Sequence, residues 1–94
     1  MIKILKVDMN FDKESEILKV LGHPVRLKIV ARLIDTHECN VNSMVKILNV
    51  PQSTISQHLG VLKSRGLIKS KKKGVENCYY IADERVRKII EALK

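Results

Sequence analysis

The sequence predicts a mainly α-helical domain closed by a β-hairpin and one further helix, in the order ααααββα. Three observations carry this. Aliphatic residues recur at three- and four-residue spacing through most of the chain. Single prolines and glycines stand between those stretches, where helices start and stop. After Gly66 the pattern changes to two β-leaning runs around Lys73-Gly74, within LIKSKKKGVENCYYIAD, before helical spacing returns. Two short helices joined by a tight turn and followed by a hairpin describe a winged helix-turn-helix, and residues 1–94 read as one such domain.

The elements follow in order. In the arm, residues 1–11, the residues Ile2, Ile4, Leu5 and Val7 suit an extended segment and a fraying helix equally, so none is assigned. Ile17, Leu18 and Leu21 predict a first helix over 12–21, with Asp12 as N-cap and Gly22 just past its end. His23-Pro24 restarts the chain, because proline suits the first turn of a helix. Val25, Leu27, Ile29, Val30, Leu33 and Ile34 then make a helix to about Asp35, apolar on a wide face and therefore central to the core. Val41, Met44, Val45 and Leu48 have the spacing of a short helix, capped by Asn40 or Asn42 and stopped by Asn49-Val50-Pro51. The next helix starts at Pro51 or Gln52 and ends at Arg65, so that 41–65 forms the helix-turn-helix. The hairpin, 67–82, is the wing. Val86, Ile89, Ile90 and Leu93 predict a last helix over 83–94 with Asp83 as cap.

Charge is unevenly placed along this layout. Residues 1–50 hold eight Lys/Arg against six Asp/Glu, whereas residues 51–94 hold ten against four, so the C-terminal half carries most of the net charge of +8. Such an asymmetry favours a polyanionic partner. A solubilising surface is the plainer alternative. With 94 residues the chain is near the lower end of what buries a core unaided, which favours a dimer. Cys39 and Cys78 form no C-x-x-C pair, so neither a disulfide framework nor a zinc knuckle is written here, and a reducing, cytoplasmic compartment is expected. No apolar run approaches the roughly 18 residues of a membrane span, so no membrane partner is expected.

The recognition chemistry is expected in PQSTISQHLGVLK. On a wheel of about 100° per residue, Ile55, Leu59 and Leu62 point one way. Ser53, Gln57, Gly60 and Ser64 point the other, with Thr54 and Ser56 flanking. Glutamine pairs with adenine in two hydrogen bonds, Ser and Thr bond bases or phosphates, and Lys63 and Arg65 reach phosphates. A helix serving stability alone would favour Glu and Lys on its outer face, since both form helices better. His58, at the edge of the apolar face, is expected to pack beneath the helix. Lys69, Lys71, Lys72 and Lys73 suit a wing laid along a phosphate backbone, although a lysine-rich edge also guards a hairpin against strand-to-strand aggregation.

HPVRLKIVARL, then PQSTISQHLGVLKSRGLI, then GVENCYYIAD, occurring together in this order, resemble the ArsR/SmtB family of transcriptional repressors over nearly all of residues 12–94. The resemblance is greatest to PagR-type members, which lack the standard metal sites. It implies a homodimeric winged helix that binds a palindromic double-stranded DNA operator, with no small-molecule substrate and no cofactor. Carried over residue by residue, Gln52, Ser53, Ser56 and Gln57 fall where the family's recognition helix meets the major groove, with Thr54 adjacent, and the wing contact falls on Lys71, Lys72 and Lys73. The first and last helices would form the dimer interface, through Ile17, Leu18 and Leu21 and through Val86, Ile89, Ile90 and Leu93.

Departures from the family pattern concern what is sensed. The last helix holds no histidine, which excludes an interfacial His/carboxylate zinc site, and 37-HECNVNS-43 holds one displaced cysteine. His37 and Cys39 supply two soft ligands where zinc needs three or four, so no metal is expected. A thiol switch between Cys39 and Cys78 is an alternative, and requires Cα atoms within about 7 Å. An architectural or protein-interaction module with loose nucleic-acid affinity is another. No Ser/His/Asp order, carboxylate pair or phosphate-cradling glycine loop suggests an enzyme.

Overall fold

The computed structural model describes residues 10–36 and 40–94. Most of the arm, and the metal candidates His37 and Cys39, lie outside the described residues. Among those described, five helices and one hairpin follow in the expected order: α1 (Asp12–Leu21), α2 (Pro24–Thr36), α3 (Val41–Leu48), α4 (Gln52–Ser64), β1 (Ile68–Lys73), β2 (Glu76–Ile81) and α5 (Glu84–Leu93).

The boundaries are set by local chemistry. The Asn40 side chain accepts from the Ser43 backbone N–H at 2.8 Å and caps α3. Asn49 ends that helix in the left-handed region, φ 56°, which asparagine tolerates. Asp83 accepts from the Arg85 N–H at 2.9 Å and caps α5; hydrogen bonds from the Arg85 side chain hold its carboxyl below the ordinary carboxylate range. One cap differs from expectation. Asp12 is the first residue of α1 and not its N-cap, a position that falls to Phe11, while Asn10 Oδ1 takes the Asp12 N–H at 3.0 Å. Asparagine two residues earlier thus does the work expected of the aspartate.

Gly66 closes α4. Its φ of +76° lets the Leu67 N–H reach the Leu62 carbonyl and its own N–H reach that of Lys63, both at 3.0 Å. Leu62 and Leu67 are themselves buried, so the turn is fastened by packing as well.

The core lies around α2, which packs against the other four helices and β2. Ile29 and Val30 from α2 meet Met44, Ile55, Leu59, Leu62, Ile68 and Val86, all buried. One aliphatic from nearly every element therefore fixes the attitude of α4. The wing is a two-stranded antiparallel sheet with Ile68 opposite Ile81 at its base and Lys73 opposite Glu76 at its tip. Its two-residue loop is Gly74-Val75, with Gly74 at φ +67°, a positive value suited to glycine at the first loop position.

Candidate nucleic-acid interface

Helix α4 separates cleanly into two faces. Ile55, His58, Leu59 and Leu62 are buried beneath it, while Gln52, Ser53, Ser56, Gln57, Gly60, Lys63 and Ser64 are exposed. Thr54 is half-buried at the margin. The outer face thus carries two amides and three hydroxyls, with no carboxylate to repel a polyanion. A Cβ at Gly60 would meet nothing within 4 Å, so the protomer's own packing does not require glycine there. Gln52 also lines a cleft of about 170 Å³ with Asn40, Val41 and Asn42 from the start of α3 and Glu76 and Asn77 from the wing. The first turn of α4 and the wing therefore border one hollow.

Arg65, expected to reach phosphate, is otherwise engaged: its guanidinium pairs with Glu16 of α1 at 3.2 Å. The partner lies far away in sequence, and no local pattern reveals it. Lys63 stays exposed.

Pairing register splits the wing lysines between two faces. Lys69, Lys71 and Lys73 share one face with Tyr80, Cys78 and Glu76, and Lys72 lies on the other with Asn77. All four lysines are exposed, and the Lys71 ammonium stands 5.8 Å from the centroid of the Tyr80 ring. The extreme tip is Val75, 94% exposed, where a lysine was expected. The two-residue loop begins one position later than the basic run, and that offset accounts for the difference.

Of the seven residues expected at a dimer interface, Leu21, Val86 and Ile90 belong to the protomer's own core. Ile17, Leu18, Ile89 and Leu93 remain half-buried or exposed, Leu18 at 58%. Both helices carry an apolar arc wide enough to serve two surfaces, and spacing alone does not divide it. The outward part, Ile17, Leu18 and Ile89, lines an apolar groove of about 350 Å³ between α1 and α5, rimmed by Glu14, Arg85 and Lys88.

With this geometry in place, comparison with known proteins is decisive. Residues 23–70, from just before α2 to the middle of β1, match the family described as bacterial regulatory protein, arsR family. The chain belongs to the arsR family. It is 42% identical to an HTH-type transcriptional regulator of Methanocaldococcus jannaschii over 86% of this chain and 91% of that one. It is 39% identical to the transcriptional repressor PagR of Bacillus anthracis over 90% of this chain and 85% of that one. The crystal structure of PagR superimposes with a TM-score of 0.80, covering 89% of this chain and 95% of that one. A homodimeric winged helix-turn-helix DNA-binding domain from Mycobacterium bovis is 28% identical, with a TM-score of 0.77 over 88% of this chain and 76% of that one. The winged helix-turn-helix expected from the sequence is thus the fold.

Two features of this arsR-family chain bear on regulation. Among the described residues no group of three or more His, Cys, Asp or Glu is placed to hold a metal ion. Cys78, half-buried on β2 opposite Lys71, is disulfide-bonded, where the sequence offered no disulfide framework and a thiol switch with Cys39 only as an alternative; Cys39 itself lies outside the described residues.

Proposed function

We propose that this arsR-family regulator is a sequence-specific, double-stranded DNA-binding repressor that acts as a homodimer, occluding a promoter by occupying a palindromic operator. The observation carrying this is the division of α4, whose buried face leaves hydroxyls, amides, Gly60 and Lys63 outermost, with no carboxylate among them, beside an exposed lysine wing. In this reading Gln57, with Gln52, Ser53 and Ser56, reads base edges, and Thr54 at the margin takes phosphate or sugar. Gly60 lets the backbone come close to the DNA. Lys63, Lys71, Lys72 and Lys73 neutralise phosphates, and the α1/α5 groove, with Leu93, meets its counterpart on a second copy. Inverted half-sites about one helical turn apart would match such a dimer. The mechanism is steric and no reaction is catalysed.

A paired substitution separates this from loose, architectural nucleic-acid binding. Gln57→Ala is expected to lower affinity for the preferred duplex by about 1–3 kcal/mol while leaving random duplex unaffected. Lys72→Ala should weaken binding to both alike and reduce the salt slope by about one. Mobility-shift titrations at several salt concentrations read both effects; an unchanged sequence preference in Gln57→Ala would sink the sequence-reading role.

The disulfide at Cys78 favours a second layer, redox-responsive repression, because that cysteine sits on the DNA-facing wing of the proposed complex. Cys78→Ser, or treatment of the wild type with a dithiol reductant, is expected to shift operator affinity. Identical binding curves with and without reductant would dispose of it.

A further inference from the structure

Beneath the recognition helix lies a polar cluster that DNA contact does not use. The Arg26 Nε–H donates to His58 Nδ1 at 3.2 Å, and a terminal nitrogen of the same guanidinium donates to the Val20 carbonyl at 3.2 Å. Val20 is in the last turn of α1, Arg26 in the first turn of α2, and His58 in the middle of α4. One planar group therefore spans the helix proposed to dimerise and the helix proposed to read DNA. The His23 ring stands 4.4 Å from that of His58, tilted by 48°, and His23 Nδ1 accepts the Val25 N–H at 3.1 Å, which fixes its place at the head of α2.

We propose that Arg26 is a positioning residue: by bridging the Val20 carbonyl to His58 it sets the angle between α1 and α4, and with it the half-site spacing that the dimer accepts. This rests on the dimeric repressor reading above. The alternative tie, from Glu16 on α1 to Arg65 just past the end of α4, joins side chains about half exposed, 46% and 54%, where solvent screens the attraction. The Arg26 bonds are part-buried, and His58 is only 8% exposed, so they hold where the surface pair yields. Lysine is no substitute, because a single ammonium lacks the rigid fork that serves two acceptors at once.

The bridge has a chemical condition. His58 accepts at Nδ1 only while that nitrogen is unprotonated. Protonation would remove the acceptor and set a second cation against the guanidinium. Desolvation, then His23, then Arg26 all oppose the charged ring and lower its pKa. His23 and Arg26 are the charged or titratable groups acting on it; α3 and β1, also packed on α4, contribute none. Because the folded pKa lies below the ordinary value of about 6.5, the neutral bridge is intact above that pH and is lost as pH falls through the lowered value.

The test uses a duplex recovered by selection from randomised DNA with the wild-type protein, then rebuilt with its half-sites one to three base pairs closer or farther apart. Wild type should show a sharp optimum. Arg26→Lys, which preserves net charge, should remain a dimer by sedimentation, lose about three- to thirtyfold affinity at that optimum and flatten the spacing preference. His58→Asn, whose Oδ1 accepts in place of Nδ1 without titrating, should retain neutral-pH binding and abolish the loss of affinity that wild type shows as acidification protonates His58, below the ordinary histidine range. An Arg26→Lys variant with an unaltered spacing optimum and affinity overturns the proposal, as does an acid profile of His58→Asn equal to wild type. If His58→Asn does not fold, judged by circular dichroism, the Arg26→Lys spacing series decides alone. A wild type that enriches no duplex sinks the repressor reading, and the bridge's proposed role falls with it.

Discussion

Leu18→Asp is expected to yield a folded monomer whose operator affinity is about 10²- to 10⁴-fold below wild type. Leu18 is 58% exposed in the protomer, so a carboxylate there costs the isolated fold little. In a dimer the same carboxylate would lose its water in the apolar groove with Ile17 and Ile89, whose rim cation Arg85 is already paired with Asp83 and Glu14 and whose other cation, Lys88, stands at the solvent edge. The size of the loss follows from linkage: once one subunit is seated on its half-site, the other binds at a high effective concentration, and separating them removes that gain. Affinity for an isolated half-site should be unchanged. Sedimentation together with titrations on whole and half operators checks this, and a variant that stays dimeric at full affinity would remove α1 from the interface.

The second large effect concerns stability. Leu59→Ala removes a side chain 1% exposed at the centre of α4's inner face and is expected to cost about 2–5 kcal/mol, a large share of the roughly 5–15 kcal/mol typical of a domain. The melting temperature should drop by about 4–8 °C for each kcal/mol. Gln57→Ala, two positions away on the exposed face, should leave stability within about 0.5 kcal/mol. Calorimetry on the two variants measures the division of the helix directly: equal melting temperatures would mean that the inner face does not hold it.

That division was legible because it is local. Ile55, Leu59 and Leu62 declare a helical face by spacing alone, and Gly22, Pro24, Asn40, Asn49, Gly66 and Asp83 mark boundaries through backbone geometry acting over one turn. What could not be read depends on distance in the chain. Arg65 meets Glu16, and Arg26 meets His58, across intervals in which no periodicity persists. Val86 and Ile89 lie on one continuous apolar arc of α5, yet Val86 is sealed in the core while Ile89 lines a surface groove. Spacing defines an arc, and only its packed neighbours decide where the core stops. The hairpin failed differently: its strands were plain, but a loop placed one residue later exchanged a lysine tip for Val75.

One peptide ties the two ends of the wing together at a root that Ile68 and Ile81 pack into the domain. The Leu67 carbonyl accepts from the N–H of Ala82 at 2.9 Å and of Asp83 at 3.4 Å, joining the hairpin's two ends at its root. Beyond that root, Lys69, Lys71 and Lys73 are spaced like the teeth of a rack, about 6.8 Å apart along the strand. A DNA strand advances about 3.4 Å per phosphate along the duplex axis, so a wing laid parallel to that axis would engage every second phosphate. Lengthening the hairpin by one residue on each strand would extend its reach by about 3.4 Å without disturbing the root. Inserting one residue into β1 alone would turn the outer teeth to the opposite face. The gauge of the wing is thus set by strand geometry, and its length is free to vary independently of the domain that carries it.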